Sequence, residues 1–298
     1  MERAVGIVGV GNMGGAMAAR LLAQGWRVRV CDIDPARTAA LQAQGASIGA
    51  TPADTARGNA ALIVCVVDAD QAAEVLFGEG GAAGGWAPGL PVLLCPTLAP
   101  DAVEAMAARI EAQGGAAVDA PMSGGPLRAR DGTMSLMVAC ADDVFRRSQP
   151  LLGTLSDCVF RISAQPGDGA RTKLVNNLLA GINLAGAAQA LALAQRVGLD
   201  LRTTLDVIER SSGQSWIGSE RMRRALADDL APRAHMTLLE KDTGLALQMA
   251  AAAGFAAPLG TAAHAAFAGA VAAGLASSDD AALLPWMSAS PDLGHGMG

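Results

Sequence analysis

The chain has 298 residues, of which 51% are hydrophobic and 17% are charged, so it can bury a sizeable core and is not expected to be disordered. This length suits one large domain or two. The formal net charge of −6 at pH 7 argues against nucleic acid or an anionic membrane as a partner. No basic segment precedes a hydrophobic stretch at the start, so we expect no signal peptide and a cytoplasmic protein.

Cysteine and histidine usage predicts neither a disulfide nor a metal site. None of the five cysteines forms a CxxC pair, and most lie within or at the end of apolar runs, as small buried residues of a reduced protein do. The histidines His235, His264 and His295 follow no ligand spacing, so we predict no metal. The absence of tyrosine excludes the Tyr–Lys chemistry of short-chain dehydrogenases.

The first predicted element is a buried strand over residues 4–9, which leads into a glycine-rich turn and an Ala/Leu-rich helix. A GxGxxG pattern is specific only between a strand and a helix, and this chain provides that context. There the glycines allow a tight turn, the approach of a pyrophosphate and close helix packing. The residues expected to bind the cofactor at this turn are Gly9, Gly11, Asn12, Met13 and Gly14.

A second predicted strand, residues 27–31, ends in Asp32, at the position where a dinucleotide site has its ribose-binding carboxylate. A carboxylate there accepts hydrogen bonds from the ribose hydroxyls and repels a 2′-phosphate. Because Ile33 rather than an arginine follows, we expect NAD to be favoured over NADP. The alternative role, a helix N-cap before Pro35, suits Asp34 in particular.

Strands and helices continue to alternate, which predicts an α/β fold with a Rossmann-type, doubly wound parallel sheet. Ligands of such sheets bind beyond the carboxyl ends of the strands, so Val67, Asp68 and Thr97 are expected near the cofactor. The further predicted strands are 60–67, 91–95, 132–139 and 157–162, and the helices between them are 70–77 and 101–113.

Ser123, Gly124 and Gly125 follow another predicted strand end. Their backbone N–H groups are unobstructed by side chains and could bind an anion, with the serine hydroxyl as a further ligand. A plain glycine turn is the simpler alternative, and taken alone the segment favours it.

Only two of the 22 basic residues are lysines, Lys173 and Lys241. Lys173 and Asn177 are four residues apart, so they share one face of a helix. A partly buried lysine, unlike an arginine, can lose and regain a proton near neutral pH, which suits an acid/base catalyst. The alternative is that a biased composition left two lysines by chance.

The second half is predicted to be all-α, because strand signals stop at Gly167. We therefore expect a dinucleotide-binding domain over residues 1–163 and an all-helical substrate and dimerisation domain over residues 164–298. The predicted helices are 168–197, 201–211, 219–227, 236–253 and 258–274, followed by a loose tail from Pro285.

Four segments together resemble the β-hydroxyacid dehydrogenase family, which includes 3-hydroxyisobutyrate, tartronate semialdehyde and 6-phosphogluconate dehydrogenases. The resemblance covers nearly the whole chain, with the motifs in the family's order. One departure is Pro96, where the family commonly has a serine before the residue that corresponds to Thr97. The four matching segments are the turn 9–14 with residues 16–18, the segment 119–125, the segment 167–177 and the pair Lys241-Asp242.

The resemblance implies a role for each candidate residue. Lys173 would be the general acid/base at the C3 hydroxyl, and Asn177 would hold the substrate and Lys173. Ser123 with the amides of Gly124 and Gly125 would bind the substrate carboxylate, and Lys241 would lie beside the nicotinamide and the substrate.

The resemblance implies less about the substrate and the partners than about the reaction. Segments 212–216, 221–222 and 231–233 resemble the L-threonate dehydrogenase branch, which implies a small carboxylate substrate. Alternatives are a reductase of tartronate semialdehyde or another small 3-oxoacid and, from a different class, a non-catalytic cofactor-binding interaction module. That module would be expected to lack Lys173. The family also implies a homodimer or homotetramer formed through the helical domain.

Overall fold

The computed structural model describes residues 3–289, so His295 lies outside the described residues. The chain divides into two compact units, Met1–Lys173 and Leu174–Gly298. One helix, Asp168–Arg196, crosses that division. The domain boundary predicted between residues 163 and 164 lies before this helix and stays a prediction.

The first unit contains one sheet, with the strand order β3-β2-β1-β4-β5-β6-β8-β7 and with β9 paired to β8. The pairs from β3 to β6 are all parallel, as predicted, whereas β8 pairs antiparallel with β6 and β7. The strands are β1 Ala4–Val8, β2 Arg27–Cys31, β3 Ser47–Ile48, β4 Ala61–Val64, β5 Pro91–Leu94, β6 Ala116–Asp119, β7 Met122–Ser123, β8 Ser135–Ala139 and β9 Cys158–Ser163.

Two apolar cores cover the two faces of this sheet. Along β4, Ile63 belongs to one core and Leu62 and Val64 to the other, because successive side chains of a strand point to opposite faces. Helices therefore cover both faces, as a doubly wound fold requires. These helices are α1 Asn12–Ala23, α2 Pro35–Gln42, α3 Pro52–Ala56, α4 Ala69–Phe77, α5 Pro100–Ala112, α6 Gly125–Asp131 and α7 Asp142–Leu155.

Several predicted bounds in the first unit were wrong. The strand predicted over residues 132–139 begins only at Ser135, since Gly132 has φ 78° and ends α6. Both α6 and α7 were missed, and α7 accommodates Pro150 in its interior. The strand predicted over residues 60–67 ends at Val64, which leaves Val67 in the loop before α4.

The regular elements among the described residues of the second unit are helices, as predicted, apart from an isolated antiparallel β-bridge between His235 and Asp279. The core of this unit includes Leu184, Ala188 and Leu191 from the long helix α8. The tail predicted from Pro285 was wrong as far as Ala289, because α13 buries Leu283, Leu284 and Met287. The helices are α8 Asp168–Arg196, α9 Leu201–Glu209, α10 Trp216–Leu226, α11 Met236–Ala252, α12 Pro258–Ala270 and α13 Leu283–Ala289, with a π-helical turn at Val271–Leu275.

By length and composition alone, α8 and the segment Pro258–Leu275 could each cross a membrane. The core helices of soluble proteins meet the same criterion, and α8 contributes core residues to the second unit. All five cysteines are free thiols. Burial raises the pKa of Cys65 to about 12, which makes that thiol a poor nucleophile.

Candidate active site

The glycine turn after β1 has a shape that side chains would prevent. Gly9 has φ 86° and donates its N–H to the carbonyl of Cys31 at 2.9 Å. A Cβ atom on Gly14 would lie 2.0 Å from the carbonyl oxygen of Gly9. Gly11 directly precedes α1, and the helix begins with Asn12 and Met13. The N–H groups in the first turn of a helix are suited to bind a pyrophosphate.

Asp32 lies beside this turn and is largely buried. One carboxylate oxygen accepts a hydrogen bond from the Val10 N–H at 2.7 Å, and the other accepts one from the Asp34 N–H at 2.9 Å. The helix cap is Asp34, which accepts from the Ala36 N–H. Sequence reasoning missed Arg37, whose Nη1 lies 3.8 Å from an Asp32 oxygen. Its position three residues after the capping Asp34 was the available signal.

The sheet reverses its winding at β1, which lies between β2 and β4. Dinucleotides bind at this switch point in folds of this type, beyond the carboxyl ends of the strands. Val67 and Asp68 follow β4, and Thr97 follows β5, so all three occur after carboxyl ends of this sheet. Asp68 also caps α4 by accepting a hydrogen bond from the Gln71 N–H at 2.8 Å.

The Ser-Gly-Gly segment forms a turn between β7 and α6. Ser123 ends β7, and the next two residues have φ values of 124° and 76°. Residues with side chains rarely adopt either conformation, so Gly124 and Gly125 are required by the backbone itself. The segment therefore is a glycine turn, and because its three residues are only half-buried it can also bind an anion.

Lys173 is in the second turn of α8 and is only 7% exposed. The start of that helix is held by Asp119, the last residue of β6, which is 1% exposed. The carboxylate accepts hydrogen bonds from the N–H groups of Gly167 at 2.8 Å and Ala170 at 3.1 Å. Burial raises the pKa of Asp119 to about 6 against the lowering effect of these amides. Sequence reasoning matched Asp119 to a motif and assigned it no role.

In the second unit, Asp242 joins two predicted substrate ligands. Asn177, one turn beyond Lys173 on α8, donates its amide N–H to one Asp242 oxygen at 2.6 Å. The other oxygen forms an ion pair with the Lys241 ammonium at 3.0 Å. Asn177 and Asp242 are both buried. The structure therefore brings Asn177 and Lys241 together, and it does so through a carboxylate whose role the sequence did not indicate.

Other polar residues that could be mistaken for site residues have structural partners. His264 Nδ1 lies 3.0 Å from the Thr243 hydroxyl, and His235 Nδ1 lies 2.9 Å from the Ser277 carbonyl oxygen. Trp216 begins α10 and is 46% exposed, so it is not a core side chain of this unit. Within residues 3–289 no group of three His, Cys, Asp or Glu side chains is arranged to hold a metal ion.

Comparison with known proteins decides the family. Residues 4–163 match the model of the NAD binding domain of 6-phosphogluconate dehydrogenase, and residues 167–287 match the NAD-binding domain of NADP-dependent 3-hydroxyisobutyrate dehydrogenase. The chain is 36% identical to the L-threonate dehydrogenase of Cupriavidus necator over 284 residues, 95% of this chain and 96% of that protein. The chain belongs to the β-hydroxyacid dehydrogenase family. This confirms the resemblance and the predicted fold class, and it makes the protein an NAD(P)-dependent oxidoreductase.

Two further members show how much of the chain the family covers. The 3-hydroxyisobutyrate dehydrogenase of Pseudomonas aeruginosa is 36% identical over 86% of this chain and 88% of its own length. A crystal structure of 3-hydroxyisobutyrate dehydrogenase from Salmonella typhimurium superposes with a TM-score of 0.89 at 36% identity, covering 95% of this chain and 99% of that one. The β-hydroxyacid dehydrogenase assignment therefore applies to both halves of the chain.

Proposed function

We propose that this protein oxidises a small 3-hydroxy acid with NAD, that L-threonate is its first candidate substrate, and that Lys173 is the general acid/base. The buried Lys173 at the start of α8 is the observation on which the proposal rests. Similarity along nearly the whole chain to L-threonate dehydrogenases of several bacteria, at 32 to 36% identity, supports the substrate.

The chemistry requires two acceptors, one for a hydride and one for a proton. A bound nicotinamide would supply the acceptor for the hydride that leaves the carbon bearing the hydroxyl. Lys173, in its neutral form, takes the hydroxyl proton as the C–O bond becomes a carbonyl, and it returns that proton to solvent. A lysine suits this step because partial burial lowers the cost of its neutral form, which an arginine does not reach. General-base catalysis of this kind contributes about 10²–10⁴-fold.

Substrate binding is assigned to two groups of residues. Ser123 and the amides of Gly124 and Gly125 bind the carboxylate, since neither glycine has a side chain to obstruct its N–H group. Asn177 and Lys241 bind the hydroxyl-bearing end of the acid. Asp242 fixes both of them by accepting from the Asn177 amide and pairing with the Lys241 ammonium.

Cofactor binding is assigned to the glycine turn together with Asp32, Val67, Asp68, Thr97 and Lys241. The preference for NAD over NADP rests on Asp32, whose carboxylate is held beside the turn by the Val10 N–H. A negatively charged 2′-phosphate would be repelled at that place. Arg37 lies close enough to reduce this repulsion in part, so we expect a preference for NAD that is not absolute.

Assembly and location are proposed on the same basis. Val175, Leu179 and Leu193 lie along α8, Val197 directly follows it, and all four are exposed. Large apolar side chains repeated on one helix are typical of a subunit contact. We propose a cytoplasmic homodimer or homotetramer that uses this helix, with the domain boundary at residues 163 and 164. Light scattering on the purified protein measures the number of subunits, and a monomer at micromolar concentration would contradict the assembly.

The decisive experiment is an absorbance assay of nicotinamide reduction with a panel of 3-hydroxy acids: L-threonate, glycerate, 3-hydroxyisobutyrate and 3-hydroxypropionate. Both cofactors are tested, and the reverse reaction is run with tartronate semialdehyde and NADH. We expect the highest kcat/KM with L-threonate and NAD. No turnover of any compound in either direction would overturn the proposed function, and a preference for the reverse reaction would support the reductase instead.

A further inference from the structure

The structure assigns a positioning role to Asp119: its carboxylate holds the first turn of α8 against β6 and thereby sets the place of Lys173. This inference rests on the proposed function of Lys173. Asp119 touches no reacting atom in this scheme. It acts through the backbone of the helix that contains the base.

The contacts of Asp119 identify it as the cap of α8. The first N–H groups of a helix have no partner within the helix. Asp119 accepts from two such groups, those of Gly167 and Ala170. Asp168, the acidic residue of the helix itself, is used elsewhere, since it accepts from the Ser163 hydroxyl at 2.7 Å and from Arg171 at 3.0 Å. The cap therefore comes from the sheet and not from the segment before the helix.

Gly169 allows the helix to approach this carboxylate closely. A Cβ atom at Gly169 would lie 2.8 Å from an Asp119 oxygen and 2.8 Å from the Met137 carbonyl oxygen. Lys173 follows Gly169 by four residues, so it lies on the same face of α8, one turn further along. A shift of the helix at Gly169 therefore displaces the lysine by a similar amount.

Asp119 also joins two parts of the proposed site. The strand that it ends leads, four residues later, to Ser123, the hydroxyl assigned to the substrate carboxylate. One buried side chain thus links the start of the Ser-Gly-Gly turn to the helix of the base. Burial raises the pKa of this carboxyl to about 6, so keeping it ionised costs stability. A residue kept for stability alone would not need a charge at this place.

The test compares variants of both partners with a matched glycine. Asp119→Ala removes the cap, Asp119→Asn retains one acceptor oxygen, and Gly169→Ala pushes the helix from the carboxylate. Gly153→Ala is the control, because Gly153 lies in α7 and a Cβ atom there would meet nothing within 4 Å. Each protein is assayed with L-threonate and NAD for kcat, KM and the solvent isotope effect on kcat. Bound NADH per chain is measured by fluorescence.

We expect Asp119→Ala and Gly169→Ala to lower kcat by about 10- to 100-fold, because a misplacement of about 1 Å can cost 10²-fold. NADH stoichiometry should stay at the wild-type value, and the solvent isotope effect should rise because proton transfer becomes slower. Asp119→Asn should recover part of the loss, and Gly153→Ala should match the wild type.

Two results would overturn the inference. One is wild-type kcat in both Asp119→Ala and Gly169→Ala. The other is a loss of activity that matches a loss of NADH binding, with the isotope effect unchanged, since that indicates only a damaged fold. Failure of the proposed function is distinguishable from both, because it would appear as an inactive wild type or as an active Lys173→Ala variant.

Discussion

Asp119 and Asp242 are two buried carboxylates that hold proposed site residues in different ways. Asp119, in the first unit, accepts hydrogen bonds from the backbone at the start of α8. Asp242, in the second unit, binds two side chains, the Asn177 amide and the Lys241 ammonium. When a carboxylate that accepts hydrogen bonds from backbone N–H groups is removed, the whole helix turn can shift. A carboxylate on side chains releases only the two groups that it binds.

The difference separates two kinds of loss in the proposed reaction. Removing a backbone anchor should displace the base and lower kcat, whereas removing a side-chain anchor should free substrate ligands and raise KM. Interactions that are equal in the ground state and the transition state change KM alone, and interactions made only in the transition state change kcat. The following predictions test that division.

The largest effect is expected at Lys173, the residue that Asp119 is proposed to serve. Lys173→Ala should lower kcat by about 10²-fold or more, as the loss of a general base does. Lys173→Arg should lower kcat nearly as much, since an arginine keeps the positive charge but does not deprotonate. Steady-state assays with L-threonate and NAD measure both. Near-normal turnover in Lys173→Arg would show that charge, and not proton transfer, is what the residue provides.

The next effect is on stability and concerns the charge of Asp119. The folded-state pKa of Asp119, about 6, is raised above the ordinary 3.8, so this group stabilises the fold fully below pH 4 and loses that contribution as the pH rises through 6. The free energy of unfolding of the wild type, relative to Asp119→Asn, should fall by roughly 2–3 kcal/mol over that window. Urea titrations from pH 4 to 8 measure it, with Gly153→Ala as a control that should retain the step. A constant difference between wild type and Asp119→Asn would contradict the charged, buried state.

Asp242 should show the other kind of loss. Asp242→Asn removes the charge that pairs with the Lys241 ammonium and weakens the acceptor of the Asn177 amide. The loss of such an interaction costs about 1–2 kcal/mol. We expect KM for the acid to rise roughly 10-fold with a smaller change in kcat. Glu240→Gln, the same acid-to-amide change two residues earlier on α11, is the matched control and should leave KM unaltered. A fall in kcat at constant KM would remove the distinction between the two carboxylates.

The smallest effect is expected at a third buried carboxylate, Asp32, which like Asp119 accepts from backbone N–H groups. Asp32→Asn should lower the ratio of kcat/KM for NAD to that for NADP by about fivefold, because the repulsion of a 2′-phosphate is lost and Arg37 remains. Asp34→Asn is the comparison and should change the ratio less, since asparagine caps a helix as well as aspartate does and Asp34 pairs with Arg37 at 3.3 Å rather than with the turn. If the NAD to NADP ratio is unchanged in Asp32→Asn, Asp32 stabilises the glycine turn but does not determine the cofactor preference.

Much of the first unit could be predicted because its signals are local. The alternation of apolar strands and helices gave the sheet, and the bounds 27–31 of β2 were predicted correctly. Errors occurred where a local signal was ambiguous: Gly124 and Gly125 were interpreted as a turn or an anion site, yet Gly125 begins α6, and no helix was predicted around Pro150, which lies within α7. The tail from Pro285 was misjudged because burial by the rest of the second unit, and not helix propensity, stabilises α13.

The sequence by itself determined the family and the glycine turn after β1, and it was enough to propose roles for the two lysines, because each depends on residue types at short and regular spacing. Only the tertiary structure decided what holds those residues. Asp119 and Gly167 are 48 positions apart, and Asn177 and Asp242 are 65 positions apart. The sequence around a carboxylate does not indicate which amide or ammonium it will contact, because the packing of distant elements determines that partner. For this reason a role for Lys173 could be proposed from the sequence around it, whereas the contacts of Asp119 and Asp242 could not.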